Sequence, residues 1–387
     1  MRTSLGLSVA TVAGVAVGFA IIGTAAAQDY PRLVGEVEAE LRYDYVYDAD
    51  VGRDQGSARY IQDSSPTIEL GIAIESAPRW SIQSGLILEP VRTPARDRSF
   101  DDLGVFVEQL YLRYGRDPHS LFAGKFNLAF GIAWDVAPGV YGTDFAKDYE
   151  ITEQLGLGAT YLLETERFGN LEFEGSIFVA DTSAMSKSWA TRPLRSDANV
   201  ERAHGLDRAD GGLANTGRLD NFVLAVTGEN AASLPGFSWH AGYLLRQAGR
   251  TETADERGGV AGLTHAFAAN DDVVVSLLGE YAYIRDFGGV DQIARYMTLG
   301  GNLAWESGWH ASVVFSRRDL DPAPGFDDDR RKRLYTGTIG YAFEAGPLEG
   351  ATASIGWKTE RAGTSDANTV GILIAYDYDF ALSRRNK

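Results

Sequence analysis

From residue 33 onward, polar and apolar side chains alternate with a period of two. Between Leu33 and Tyr47, Val37, Ala39, Leu41, Tyr43, Tyr45 and Tyr47 share one face, while Glu36, Glu38, Glu40, Arg42 and Asp44 share the other. A period of two is the geometry of a strand, whose successive side chains point to opposite sides of a sheet. This stretch is much longer than the five or six residues usual in a small sandwich. It suits a tilted strand that crosses a bilayer, which takes about nine to eleven residues plus an extension beyond the lipid. The same reading applies to fifteen further stretches: 66–76, 80–89, 104–114, 120–127, 153–164, 170–181, 220–229, 237–247, 258–268, 272–284, 294–306, 309–318, 332–343, 350–360 and 369–380.

The connections carry a second signal. Short ones, such as Ala77-Pro78-Arg79, Ala269 to Asp271 and Ser307-Gly308, follow the even-numbered strands, and long polar ones follow the odd-numbered strands. Short turns on one rim and long loops on the other are expected of a barrel with one rim in the periplasm and the other outside the cell. The fold class predicted is all-β: a closed antiparallel transmembrane β-barrel of about sixteen strands.

Composition fits this architecture. The 387 residues include 44 Gly, 18 Tyr, 18 Phe and no Cys, so thiol chemistry and thiolate metal sites are excluded. The net charge of −17 disfavours nucleic acid as a partner, because binding phosphates needs a basic face. Arg2, the apolar or small run Leu5 to Ile22 and Ala25-Ala26-Ala27 before Gln28 read as an export signal with a small-residue cleavage site. A membrane anchor is the competing reading of that run. The domain division expected is a signal peptide at 1–27, a barrel at 28–380 and a periplasmic tail at 381–387, in the outer membrane of a Gram-negative bacterium.

Aromatic residues cluster at strand ends, as in the interfacial girdles of barrels. Trp80, Tyr114, Phe122, Trp305, Trp309 and Tyr341 fall near the short-turn rim, and Tyr43, Tyr45, Phe106, Tyr281, Phe315 and Tyr335 near the long-loop rim. The last strand places Val370, Ile372, Ile374, Tyr376, Tyr378 and Phe380 on one face. It resembles the C-terminal targeting signature of bacterial outer-membrane proteins, although seven residues follow the final aromatic.

Leu110 to Gly131 reads LYLRYGRDPHSLFAGKFNLAFG. A strand ending L-Y-L-R-Y, a short turn and then A-G-K-F-N-x-x-F-G resembles a segment of the phosphate-selective and siderophore-type porins. The resemblance implies a water-filled barrel, often a homotrimer, that passes small solutes. It does not imply phosphate as the solute, because the lumen ladder of Lys and Arg found in phosphate-selective porins is absent here.

With the apolar phase facing lipid, the other phase lines the lumen. Candidate pore-lining acids include Glu38, Glu40, Glu172, Glu174 and Glu280; candidate bases are Arg42, Arg113, Lys125, Arg246 and Lys358. The acidic majority predicts a mild preference for cations. Glu108 falls on the lipid-facing phase among Phe106, Leu110 and Leu112, which marks either a subunit interface or a misread phase.

The third long loop, 127–152, carries Trp134, Asp135, Tyr141, Asp144, Lys147, Asp148 and Glu150, and Gly139 and Gly142 flank Tyr141. In sixteen-stranded porins the third long loop folds inward, so this one is the candidate constriction, with an outward surface loop as the alternative. Acidic stretches at 48–54 and 319–331 could hold divalent cations or bridge to lipopolysaccharide, or simply be solvated. The long polar loop 182–219 reads as flexible surface.

Five scattered histidines and no H-E-x-x-H or G-x-S-x-G motif argue against an enzyme. A Ser–His pair around Ser312 and His310 is the residual catalytic candidate. The function expected is passive diffusion of small hydrophilic solutes or ions through an outer-membrane porin, without cofactor or metal. A solute-specific channel, for a metal chelate or another small organic solute, is the alternative. Membrane lipid, lipopolysaccharide and small solutes are the expected partners.

Overall fold

A computed structural model describes residues 30–47, 60–94, 96–191, 201–322, 330–363 and 365–383. The expected signal peptide, the acidic stretch 48–54, most of the second acidic stretch and residues 384–387 lie outside the described residues.

Sixteen long strands, numbered here around the barrel, form one antiparallel sheet. The first eight are β1 (Arg32–Tyr47), β2 (Tyr60–Ala77), β3 (Trp80–Pro90), β4 (Leu103–Arg116), β5 (His119–Phe126), β6 (Gln154–Thr165), β7 (Gly169–Ala180) and β8 (Asn221–Glu229). The second eight are β9 (Phe237–Arg246), β10 (Glu256–Asn270), β11 (Val273–Arg285), β12 (Ile293–Trp305), β13 (Trp309–Asp321), β14 (Arg331–Ala342), β15 (Ala351–Ala362) and β16 (Ser365–Ser383). Each pairs with its sequence neighbours, and β16 pairs with β1 from Arg32↔Ser383 to Tyr47↔Asn368. Closure leaves no free edge, so the backbone can cross lipid with its N–H and C=O groups paired.

The pleat sorts the side chains. Leu41, Leu112, Leu157, Leu263, Val313 and Ile372, from six different strands, are all exposed on the outside, with Val313 at 66%. A continuous apolar exterior of this kind belongs in lipid rather than water. Aromatic pairs border it at both rims: Trp80–Tyr114 (4.6 Å) and Trp309–Tyr341 (5.3 Å) by the short turns, Phe315–Tyr335 (5.2 Å) by the long loops.

Two aromatics assigned to the girdles from sequence face inward instead. Phe106 is fully buried inside, beneath the guanidinium of Arg202, and Phe122 packs on Tyr111 and Phe126. Phe106 moves because of a β-bulge. Gly85 pairs with Gln109 and Leu86 with Val107, so Glu108 is the extra residue and has no partner across the ladder. A bulge inverts the alternation downstream of it. Phe106 and Glu108 therefore both face the interior, while Leu110, Leu112 and Tyr114 face out. Glu108 is a misread phase, not a lipid-facing charge.

Strand ends also differ from the periodicity reading. β2 begins at Tyr60, and its polar first turn (YIQDSS) continues the ladder with β1. Pro66 fits inside β2 because the ladder with β3 starts only at Ile68, so no β3 acceptor waits for the missing N–H. β16 runs on to Ser383, past the expected tail boundary. β15 and β16 extend until they meet at a tight turn containing Gly363 (φ 58°), so the last outer connection is not a long loop.

Candidate functional site: the lumen and the loop across it

The loop between β5 and β6 is built to enter the barrel. At its neck, Leu128 N–H donates to the Ile151 carbonyl (2.9 Å) and Glu153 N–H donates to Asn127 Oδ1 (2.9 Å), which holds the two ends together. Beyond the neck, Leu128 and Phe130 join the inward-facing Phe178, Leu244, Val260 and Ile284 in one buried cluster. These wall positions are apolar where a water-filled pore would have polar groups. They give the loop a surface to bury against.

Glu280 on β11 then fixes the loop. Its carboxylate accepts from Ile132 N–H (2.6 Å), Ala133 N–H (3.1 Å) and the Tyr149 hydroxyl. Further along, Gly139 (φ 86°) passes so close to the wall that a Cβ there would lie 2.4 Å from Ser312 Oγ. Val140 N–H donates to Thr338 Oγ1 (3.1 Å) on β14. Tyr141 fits against Gly356 and Gly371, donates to Asp44 Oδ1 (2.7 Å), and lies under Arg42 (4.6 Å) and Lys358 (4.7 Å). Asp144 pairs with Lys358 at 2.7 Å, and Asp148 with Arg318 at 2.9 Å. The anchors thus sit on β1, β11, β13, β14 and β15, across the barrel from the strand that launches the loop. The segment spans the interior.

Beside it runs a cavity of about 2580 Å³. Its lining extends from Arg79 and Asp117 at the short turns to Thr93 and Arg98 beyond the long-loop end of β3. Of the pore-lining candidates, Glu38, Glu40, Arg42, Arg113, Glu172, Glu174 and Lys358 line it. Of the loop candidates, Trp134, Asp135, Asp144, Lys147, Asp148 and Glu150 do so.

The other four candidates have different surroundings. Lys125 is fully buried between Glu153 (2.8 Å) and Asp181 (3.1 Å) and donates to the Met185 carbonyl, so the following loops cover it. Arg246 is bound to the buried Glu256. Glu280 and Tyr141 are loop anchors, nearly or fully buried.

Sequence reasoning missed several cavity residues. Glu108 was hidden by the bulge. Arg202 lies in a loop read as flexible surface, yet it reaches the lumen, binds Glu89 and Glu153 (2.8 Å to the latter) and covers Phe106. The β7–β8 loop also pairs Ala190–Thr191 with β4, so part of it lies against the wall. No local pattern announces such an insertion; Arg192 and Arg195 lie outside the described residues.

Charge is uneven around the cavity. Acids outnumber Arg and Lys about two to one along the lining. Arg42 and Lys358 face Asp44 and Asp144 on one side, whereas Glu69, Glu89, Glu108, Asp135 and Glu150 gather around the loop. Burial, reinforced by Glu150, Glu108 and Glu280, pushes the Asp135 carboxyl up to about 8. Burial pushes Glu150 up to about 7, with Lys147 opposing the shift and Glu108 adding to it.

The catalytic candidate is not assembled. His310 Nε2 pairs with Ser354 Oγ (3.2 Å), whereas Ser312 sits against Gly139. Among the described residues, no cluster of three or more His, Asp or Glu has the arrangement of a metal site.

No family model matches the chain, and no curated protein matches it by sequence. Solved structures do match in fold. The outer membrane channel DcaP of Acinetobacter baumannii aligns over 89% of this chain and 96% of its own, with TM-score 0.54 and 12% identity. OccK9 (OpdG) of Pseudomonas aeruginosa aligns over 90% and 98%, with TM-score 0.52 and 10% identity. The outer membrane protein OpdK of the same organism aligns over 90% and 99%, with TM-score 0.51 and 9% identity. At such identities the likeness is one of fold: a sixteen-stranded outer-membrane barrel. The likeness supports a sixteen-stranded outer-membrane porin barrel, not specifically one of the phosphate-selective or siderophore-type families.

Proposed function

We propose that the chain is a solute-selective outer-membrane channel whose acid-lined lumen favours small hydrophilic solutes bearing positive charge. The observation that carries this reading is the loop 127–153. It crosses the interior, and the remaining passage runs between carboxylates of the loop and carboxylates of β2–β4. A wide, unobstructed barrel would sieve by size alone. A passage narrowed by a fixed loop and flanked by charge forces a solute to exchange hydration for specific contacts. The fold likeness to an outer-membrane channel supports transport in general, and the acid excess supports the sign of the preference.

Selective binding predicts saturation. In planar bilayers, small organic cations should block ion current with a half-maximal concentration and single-file kinetics, and small organic anions of equal size should not. Flux linear in concentration for both would return the reading to unselective diffusion, which was the simpler expectation from sequence.

A further inference from the structure

We propose that the outward face of β10–β15 at the long-loop rim docks the phosphorylated headgroup of an outer-leaflet glycolipid. Seven arginines occupy this face: Arg257, Arg285, Arg295, Arg317, Arg331, Arg333 and Arg361. The strand registers bring them together. Arg257 is directly opposite Arg285, Arg317 is opposite Arg333, and Arg333 is opposite Arg361. Directly opposed residues have Cβ atoms about 4.5–5.5 Å apart, and like charges there repel. A chain with net charge −17 has placed its bases against one another on one outer sector.

The neighbouring acids do not neutralise them. Asp319 serves both Arg317 (2.6 Å) and Arg331 (3.0 Å), and Asp366 reaches Arg361 at 3.5 Å. Arg257, Arg285 and Arg333 have no acidic partner among the described residues, and Arg295 stacks over Tyr283 (5.7 Å) and stands opposite Asp319, which already serves Arg317 and Arg331. Among the described residues, Arg257, Arg285 and Arg333 therefore lack an anion.

Position names the anion. The arginines lie at the strand ends just beyond Tyr283, Phe315 and Tyr335, and Arg361 stacks over Tyr335 (5.7 Å). Aromatics of such a belt sit at headgroup depth. The next residues outward along the same face therefore meet the headgroups themselves, on the side of the long loops. Guanidinium groups bind phosphate oxygens bidentately, which suits Arg here better than Lys. Six adjacent strands spaced about 4.8 Å apart span roughly 24 Å, wide enough for a headgroup with several phosphates. The charge is also local: the same rim of β1 and β2 presents Tyr45, Tyr47 and Tyr60 instead. The inference concerns the outer wall alone and stands whatever the lumen conducts.

The test uses full-length protein in detergent, titrated with bis-phosphorylated lipid A, with dephosphorylated lipid A and with inorganic phosphate. Bis-phosphorylated lipid A should bind at least about tenfold more tightly than its dephosphorylated form. The combined variant R317Q, R333Q and R361Q should lose that margin, the matching Arg→Lys variant should recover part of it, and single-channel conductance should stay unchanged. Equal binding of the two lipids by the unaltered protein would overturn the proposal without any variant. So would undiminished binding by a correctly folded Gln variant, or inorganic phosphate competing as well as lipid A does, which would mean a site for free phosphate.

Discussion

Glu280 shows what one residue does for this molecule. As a lumen carboxylate it would add to the pore potential; in place, it accepts three hydrogen bonds from the loop and faces no water. Hydrogen bonds to a charged group are worth roughly 1.5–3 kcal/mol, so Tyr149→Phe should loosen the loop by about that amount. Amide exchange at residues 131–136 should quicken accordingly, with little change in overall barrel stability; unaltered exchange would refute the anchoring role. Asp135 and Glu150 give a second test at this scale. Their carboxyls are held up at about 8 and about 7, so they are mostly neutral near pH 6 and charged near pH 9. Raised acids gain negative charge as pH climbs through those values, which fixes the sign: cation preference should increase from about pH 6 to about pH 9. In D135N/E150Q that rise should flatten, and a rise that persists would assign it to other groups. Which lumen residues face water was only partly legible from sequence. Alternation finds the inward phase, but it cannot tell Glu172, which lines the cavity, from Lys125, which two later loops bury. Those loops arrive from distant sequence.

At the scale of elements, the strands were almost fully legible and the loops were not. All sixteen strands could be placed because lipid on one side and water on the other enforce a period of two, one residue at a time. The pattern fails where that constraint ends. Beyond the lipid, β2 starts in a polar stretch that reads as loop, and at Glu108 a single extra residue inverts the phase. The inward course of loop 127–153 was suggested by its rank among the long loops; its anchors were not, since Asp44, Glu280 and Lys358 are close to it only in the closed barrel. Gly371 is one such position. A Cβ there would lie 2.1 Å from the Tyr141 hydroxyl and 2.4 Å from Asp44 Oδ1. Gly371→Ala should therefore displace Tyr141 and release that end of the loop, giving larger conductance and noisier open-channel current than Tyr141→Phe, which removes only the hydroxyl. Identical traces from the two variants would show that the close fit at Gly371 does not hold the loop.

For the whole molecule, closure and charge act together. Sixteen strands enclose an interior too wide to be filled by side chains, and the loop and its anchors divide it into a packed half and an open half. The packed half follows the apolar residues on the inner wall of β7–β14. The open half collects the carboxylates of β1–β4, β6 and β7 together with those of the loop. A net charge of −17 says little about where the field lies; the fold concentrates part of it along the cavity beside the loop. The reversal potential of the reconstituted channel under a KCl gradient at about pH 9, where the raised carboxyls beside the loop carry their charge, tests this most directly. The potential should lie on the cation-selective side and move toward zero when Glu69, Glu108 and Glu150 are changed together to Gln. A potential at zero or on the anion-selective side, or one indifferent to that triple change, would contradict an acid-lined passage beside the loop.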